Sequence, residues 1–324
     1  MPFPCAVKPV RSLSRATALV HYRPLRTTRR CALLDAAHYL QLRDKKKLAL
    51  PAGSWLYWWC DFCIQPRDFR WWMRTLIVIP ARLAAVRLPQ KPLRLLGGAP
   101  LVTRVWERVC EMNVADRCVV ATDDAGVAEA ARAGGAEAVM TSKGHVSGTD
   151  RVAEVAAMPE FASFTTIVNV QGDEPFIGRH AVEGAASMVS SGKFPLGTSA
   201  SPAAWTIADN PNIVKVVVAS DGRALYFSRA GIPFVRDSEA VGSNEIQMLQ
   251  HIGVYAYSRE ALEQWVNLPP HPLENTERLE QLRPLAAGIP IGVAIANEPP
   301  ASGIDTEDDL AAANARWQEF IAGR

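Results

Sequence analysis

The sequence predicts an α/β fold: a mostly parallel, twisted sheet flanked by helices. Two observations predict it. Short apolar runs such as Leu76-Ile-Val-Ile79 alternate with stretches of helical spacing such as Ala125 to Ala133. Continuous apolar runs of this length suit strands buried on both faces, and their alternation with helices is the mark of parallel crossover units. Polar and charged residues also cluster directly after the apolar runs, where open α/β sheets bind their ligands.

Composition frames this reading. The chain has 324 residues, with 48% hydrophobic and 21% charged residues. That is ordinary for a globular protein and ample for a core. The net charge of +2 hides an asymmetry. Residues 1–72 hold 13 of the 35 Lys and Arg but 4 of the 33 Asp and Glu, so the remainder of the chain is acidic. They also hold Cys5, Cys31, Cys60 and Cys63, and five of the nine Trp. Such asymmetry points to two segments of different origin or role. Three readings of residues 1–72 compete: an Arg-rich transit peptide, a metal or redox site at Cys60-Asp-Phe-Cys63, and translation from a mis-assigned upstream start. We expect a basic N-terminal extension that is non-native or disordered. No stretch in it reaches the roughly 20 apolar residues that span a bilayer. Beyond it only Cys110 and Cys118 remain, both in apolar surroundings. They read as small buried hydrophobes, no disulfide framework is implied, and a reducing cytoplasm fits.

Leu76 to Ile79 reads as a buried parallel strand. The loop after it carries Arg82, Arg87 and Lys91 and is pinned by Pro80, Pro89 and Pro92. Arg forks and a Lys point charge suit a polyphosphate, although a solvated basic loop has the same look. It is not a Walker loop, because no Gly-x-x-x-x-Gly-Lys-Ser/Thr occurs. Pro100 to Cys110 has helical spacing, Arg117 to Asp123 reads as strand then loop, and Ala125 to Ala133 as helix. In His145-Val-Ser-Gly-Thr-Asp-Arg151, Ser147 or Thr149 caps a helix over Val152 to Ala157, and Gly148 allows close backbone approach.

The strand Thr166-Ile-Val-Asn-Val ends at Gln171-Gly172 and then presents Asp173 and Glu174. A carboxylate there, beside a cationic phosphate loop, suits Mg²⁺ shared between protein and phosphate. Lys215 to Val218 reads as a strand, Asp221-Gly222 as a turn, and Arg229 lies next to an apolar patch. His251 to Tyr257 alternates like a strand, which puts His251, Gly253, Tyr255 and Tyr257 on one face. Pro272 to Arg283 reads as one amphipathic helix with a mostly solvated charged face. Asp305 precedes a final helix capped at Thr306 or its neighbours, and is either part of that cap or a second metal carboxylate.

Seven of these runs, in order, resemble the 3-deoxy-manno-octulosonate cytidylyltransferases, which make CMP-Kdo. The runs are Pro80 to Pro92, His145 to Arg151, Asn169 to Pro175, Tyr226 to Ala230, His251 to Tyr257, Leu279 to Arg283 and Gly303 to Leu310. They cover nearly all of Met73 to Gln318. The resemblance implies a nucleotide-diphospho-sugar transferase-like (Rossmann-like) fold with a smaller sugar and dimerisation subregion, and makes 73–324 the cytidylyltransferase domain. It implies transfer of CMP from CTP to Kdo with release of pyrophosphate, for lipopolysaccharide synthesis.

By the same resemblance, Ala81, Arg82, Arg87, Lys91, Ser147, Gly148, Thr149, Gln171 and Asp173 bind CTP. Asp173 and Asp305 hold Mg²⁺, and Arg82, Lys91, Asp173 and Asp305 are the catalytic set. Arg229, His251, Tyr255, Glu280 and Gln281 bind the sugar acid. A cytoplasmic homodimer is implied. Three positions depart from the family pattern: Ala85-Val86 replaces a small hydroxyl pair, Gln90 a common Gly, and Gln250 a basic residue. The rivals are a cytidylyltransferase for an amino-Kdo or sialic acid, and a catalytically dead nucleotide-binding module. Nucleic-acid binding through the basic extension lacks a recognisable motif.

Overall fold

β1 (Thr75–Ala81) is an interior strand of the sheet, and its side chains go alternately to two cores. Ile77 and Ile79 enter one apolar cluster, Leu76 and Val78 the other, and all four are wholly buried. That is the period-two alternation of a strand covered on both faces. The structure is a computed structural model and describes residues 74–84, 87–236, 247–297, 300 and 303–323. The expectations for residues 1–72 and for Ala85-Val86 lie outside the described residues.

Along the chain β1 is followed by a small hairpin, β2 (Leu95–Leu96) and β3 (Ala99–Pro100), and by α1 (Leu101–Glu111). Then come β4 (Arg117–Thr122), α2 (Ala125–Ala133), β5 (Glu137–Met140), α3 (Gly148–Ala157) and β6 (Thr166–Asn169). The second half holds α4 (Arg179–Ser190), β7 (Leu196–Ala203), β8 (Lys215–Val218), β9 (Ala224–Ser228) and β10 (Met248–Ser258). It ends with α5 (Arg259–Asn267), α6 (Pro272–Glu277), α7 (Leu282–Ala286), β11 (Ile291–Ile295) and α8 (Glu307–Ala322).

The sheet order is β11-β7-β10-β6-β1-β4-β5. β10 runs antiparallel to both its neighbours, so the other six strands of this path share one direction. The expected mostly parallel α/β sheet is therefore present. α1, α2, α4 and α8 supply the apolar cluster on one face, whereas α3 and α5 supply that on the other. The β8–β9 hairpin joins the end of β10 and forms a smaller subregion. Among the described residues no helix is long and apolar enough to cross a membrane.

Local chemistry sets the element ends. Ser147 caps α3 and exchanges hydrogen bonds with Asp150 in a capping box. Thr306 does the same with Asp309 at α8, and Asp124 caps α2. Each cap satisfies amide donors that the first turn leaves free. β10 carries a bulge: Ile252 pairs with Ser199 and Tyr255 with the adjacent Thr198. Two extra residues bend the strand but keep its phase, so His251, Tyr255 and Tyr257 still share a face as expected.

One expected helix is broken. Pro272 to Arg283 forms α6 and α7, separated by Arg278 at φ 55° and a turn through Gln281. The left-handed residue ends α6, and Leu279 donates its amide to the Glu274 carbonyl. Leu279 and Leu282 then reach the core, and Gln281 turns inward to 2% exposure. The charges are not a uniform solvated face either: Arg283 and Glu274 form a half-buried two-point pair. Burying two leucines and an amide from one turn outweighs the helical periodicity here.

Gly197 on β7 lies against α4, and a Cβ there would sit 2.3 Å from the Ala185 carbonyl oxygen. Backbone cannot rotate away as a side chain does. Gly197→Ala is expected to lower stability by about 1–3 kcal/mol in urea unfolding, with the slope unchanged.

Candidate active site

A cleft of about 380 Å³ opens over the carboxyl ends of β1 and β6. This is the position that the parallel topology offers a ligand. Its lining includes Ala81, Arg82, Arg87, Lys91, Ser147, Gly148, Gln171, Asp173 and Asp305. Nearly the whole expected nucleotide set thus converges in one place. Thr149 is the exception: it is buried, and its hydroxyl donates to Glu280 instead.

Lys91 opens a short 3-10 helix whose preceding residue, Gln90, adopts φ 54° and ψ 32°. The backbone therefore keeps the left-handed turn that favours Gly, at a cost of about 1 kcal/mol or more for Gln. That turn carries the Lys91 side chain in between two carboxylates. Its ammonium donates to Asp173 and, at 2.8 Å, to Asp305 Oδ1. Arg87 donates to the other oxygen, Asp305 Oδ2, at 2.9 Å. Asp305 is itself anchored, because its amide and that of Thr306 both donate to Asp309. Ile304 donates its amide to the Asp173 carbonyl and ties the two acidic loops together.

Electrostatics at this corner are strongly coupled. Burial pulls the Lys91 ammonium downward, but Asp173 and Asp305 more than offset it and its pKa is raised. Glu174, next in the chain, is pushed up to about 8 by burial and then by the Asp173 charge. The gap between Asp173 and Asp305 thus takes a cation, and its protein donors are carboxylate oxygens. Among the described residues no group of three or more His, Cys, Asp or Glu forms a ready-made metal cage. Two carboxylates completed by substrate phosphates are the donor set that Mg²⁺ commonly takes, so these residues fit that ion.

Of the expected sugar-side residues, His251 and Tyr255 lie on β10, Glu280 and Gln281 in the α6–α7 turn and Arg229 just after β9, and none of them lines the cleft. Tyr255 donates to Gln281 Oε1 at 3.0 Å, and His251 Nε2 lies 2.8 Å from the Thr198 hydroxyl. The rings of His251 and Tyr255 are 5.5 Å apart. Thr149 bridges Glu280 and the Tyr257 hydroxyl, which also accepts from Asn169. Burial lifts Glu280 to about 7, against the Thr149 hydrogen bond, and lowers His251 to about 3. Asn169 Oδ1 and Gln281 Nε2 are buried without a protein partner. Such orphaned groups are costly unless another molecule completes them.

Arg229, expected from the resemblance to bind the sugar's carboxylate, is largely engaged within the protein. Three of its N–H groups go to the carbonyls of Glu277, Pro211 and Arg278. Glu277 in turn accepts from Ser228 and from the Arg229 amide. The wholly buried Lys215 donates to the carbonyls of Asn210, Ile213 and Arg229. Arg229 is thus a clamp on the turn that leads to Glu280 and Gln281, with two of its five N–H groups left over.

Sequence reading missed several members of the site. Arg151 lines the cleft, almost buried, with its partners Thr141 and Asp123. His145 is paired with Glu154 at the cleft mouth. Asn169 and Tyr257 look like ordinary strand residues in sequence. Only their facing partners reveal them, and those come from distant parts of the chain.

The fold and the cleft lined by Arg82, Arg87, Lys91, Asp173 and Asp305 are those of a nucleotidyltransferase. In agreement, the cytidylyltransferase family profile matches residues 76–291. A 3-deoxy-manno-octulosonate cytidylyltransferase of Gemmatimonas aurantiaca is 58% identical over 252 residues, 77% of this chain and 96% of that protein. One of Herminiimonas arsenicoxydans is 46% identical over 74% of this chain and 96% of its own. The solved structure of a CMP:2-keto-3-deoxy-manno-octonic acid synthetase complexed with CTP aligns with a TM-score of 0.70 at 38% identity, covering 76% of this chain and 99% of that one. The inositol-1-phosphate CTP transferase of T. maritima shares the fold, with a TM-score of 0.54 at 16% identity over 78% of this chain and 96% of that one. The chain belongs to the 3-deoxy-manno-octulosonate cytidylyltransferase family.

The Glu280 carboxyl has a pH consequence. Its folded pKa of about 7 lies above the 4.5 of the free group. The stability it contributes is therefore full below about pH 4.5 and is lost as pH rises through 7. Glu280→Gln is expected to gain on the order of 1–3 kcal/mol over wild type at pH 8 relative to pH 4.5, read from urea unfolding at both. A pH-independent difference would place Glu280 in solvent.

Proposed function

We propose that this protein transfers CMP from CTP to 3-deoxy-D-manno-octulosonate (Kdo), giving CMP-Kdo and pyrophosphate. The observation that carries this reading is the meeting of Arg82, Arg87 and Lys91 with Asp173 and Asp305 in one cleft. Family membership supplies the substrates. The anomeric C2 hydroxyl of Kdo gives up its proton to solvent as its oxygen attacks the α-phosphorus of CTP, and the bond to the bridging oxygen of the β-phosphate breaks, so that pyrophosphate leaves. The chemistry needs alignment and charge neutralisation rather than a covalent nucleophile.

Arg82, Arg87 and Lys91 bind the triphosphate and stabilise the charge that collects on pyrophosphate. The amino end of α3, at Ser147 and Gly148, and Gln171 hold the cytidine. Thr149 acts one step away, by fixing Glu280. Asp173 and Asp305 would hold Mg²⁺, which when bound would supply charge neutralisation at the α-phosphate and a lowered pKa for a hydroxyl beside it. Glu280, Gln281, His251 and Tyr255 face the sugar acid, while Arg229 holds their turn and offers its remaining N–H groups to the carboxylate. The orphaned amide of Gln281 and carbonyl of Asn169 suit the hydroxyls of such a ligand. A cytoplasmic homodimer serving lipopolysaccharide synthesis completes the proposal and rests on the family alone.

Pyrophosphate release from CTP and Kdo is the assay. Asp173→Asn is expected to lower it by about 10³-fold or more at unchanged folding. Wild-type turnover in that variant would remove Asp173 from the machinery. A preference for sialic acid or an amino-Kdo over Kdo would move the acceptor assignment to that sugar.

A further inference from the structure

Two like charges, Asp173 and Asp305, face the same cleft, and the ammonium of Lys91 holds them together. Both oxygens of Asp305 are engaged, Oδ1 by Lys91 and Oδ2 by Arg87. Two carboxylates and two cations leave this corner with no net charge to attract a free divalent ion. The four groups differ in freedom. Asp305 is fixed by the α8 capping box, and the Ile304 amide fastens its loop to the Asp173 carbonyl. Lys91 and Arg87 are long side chains on the phosphate loop, and the Arg87 side chain is 68% exposed. The carboxylates are the rigid half of the cluster and the cations the movable half.

A triphosphate changes the balance. On the proposed reaction it binds in the cleft that Lys91 and Arg87 line, and it offers them more negative charge than two carboxylates do. Drawn onto the phosphates, Lys91 and Arg87 leave Asp173 and Asp305 unpaired beside a polyanion, which is the condition for binding a divalent ion.

We propose that the Lys91 ammonium is a placeholder for the divalent ion: it occupies the Asp173–Asp305 seat in the substrate-free enzyme and makes nucleotide bind before metal. This rests on the reading that those two carboxylates hold the ion. Lys91 thereby acts as a positioning residue as well as a phosphate ligand. It keeps the carboxylates together in the absence of substrate and prevents a metal from occupying the seat before the phosphates arrive.

Mn²⁺ serves as the probe, with free ion read by electron paramagnetic resonance on the full chain without nucleotide. Wild type is expected to bind Mn²⁺ weakly at this site. Lys91→Met removes the placeholder and keeps the stem, and should raise affinity at least about tenfold. Lys91→Arg should stay close to wild type. Adding Asp173→Asn to Lys91→Met should abolish the gain. A Lys91→Met variant that folds by circular dichroism yet binds Mn²⁺ no better than wild type overturns the proposal. A wild type that already binds as tightly as that variant overturns it too. If Lys91→Met gains affinity that survives Asp173→Asn, the ion sits elsewhere, and the metal reading fails with the placeholder. If nucleotide adds no bound Mn²⁺ beyond what free CTP holds, in wild type and variant alike, the carboxylates hold no metal. That outcome sinks the underlying reading on its own evidence.

Discussion

Asp173 and Asp305 carry like charges into one corner of the cleft, from loops far apart in the chain, and a cation must lie between them. Lys91 supplies it from a third segment, the loop after β1. Much of the local architecture makes that meeting possible. β1 and β6 are adjacent parallel strands, so the loops at their carboxyl ends start side by side. α8 packs on the same face as α1, through Leu310, Ala313 and Trp317, and its amino end points Asp305 at the same spot. The Arg94–Glu307 pair, two-pronged at 2.6 and 2.7 Å, fastens the end of the phosphate loop to the first turn of α8. An exposed pair of this kind adds little stability, but it is a second link between the loop that carries Lys91 and the helix that follows Asp305.

The sheet also explains why the two halves of the site differ. The strands around β1 are parallel, and loops after them gather charges over an open cleft. β10 is reversed, so its neighbours β6 and β7 meet it as antiparallel partners. Its inward residues His251, Tyr255 and Tyr257 therefore project from the strand itself and not from a loop. They pack against each other and against Trp265 and Phe227. Residues on a strand and locked by rings are held more rigidly than residues on a loop. The cleft over β1 and β6 is built for charge, and the β10 side for shape and hydrogen bonding.

Legibility in the sequence followed the range of the interactions. The strands β1, β4 and β8 and the helix α2 are written in local apolar periodicity, and the caps Ser147 and Thr306 in local hydroxyls. The charges of the phosphate loop and the acids at Asp173 and Asp305 were readable because each follows an apolar run or precedes a helix, where an α/β sheet presents its ligand-binding groups. Three features escaped. The break at Arg278 depends on burying Leu279, Leu282 and Gln281, which local helical spacing does not reveal. The commitment of Arg229 to carbonyls depends on where Pro211 and Glu277 lie. The link from Thr149 to Glu280 joins residues 131 apart in sequence. In each case the deciding partner is distant, and spacing says nothing of it.

The sugar side can be weighed by what it leaves unfinished. Burying an amide or carbonyl without a partner costs roughly 1–3 kcal/mol, and folding normally avoids it. Here Gln281 Nε2 and Asn169 Oδ1 are both left so, within one network that also holds Glu280 above its usual carboxyl range and His251 below its usual imidazole range. A purely structural core has no reason to keep two orphaned groups beside two buried titratable ones when apolar residues of similar size would pack as well. Their persistence is economical only if a polar molecule completes them. On the proposed reaction that molecule is the sugar acid, whose hydroxyls can both donate and accept. Burial is the cause of both shifts, upward for the Glu280 carboxyl and downward for the His251 imidazole, so both groups sit where their charged forms are disfavoured.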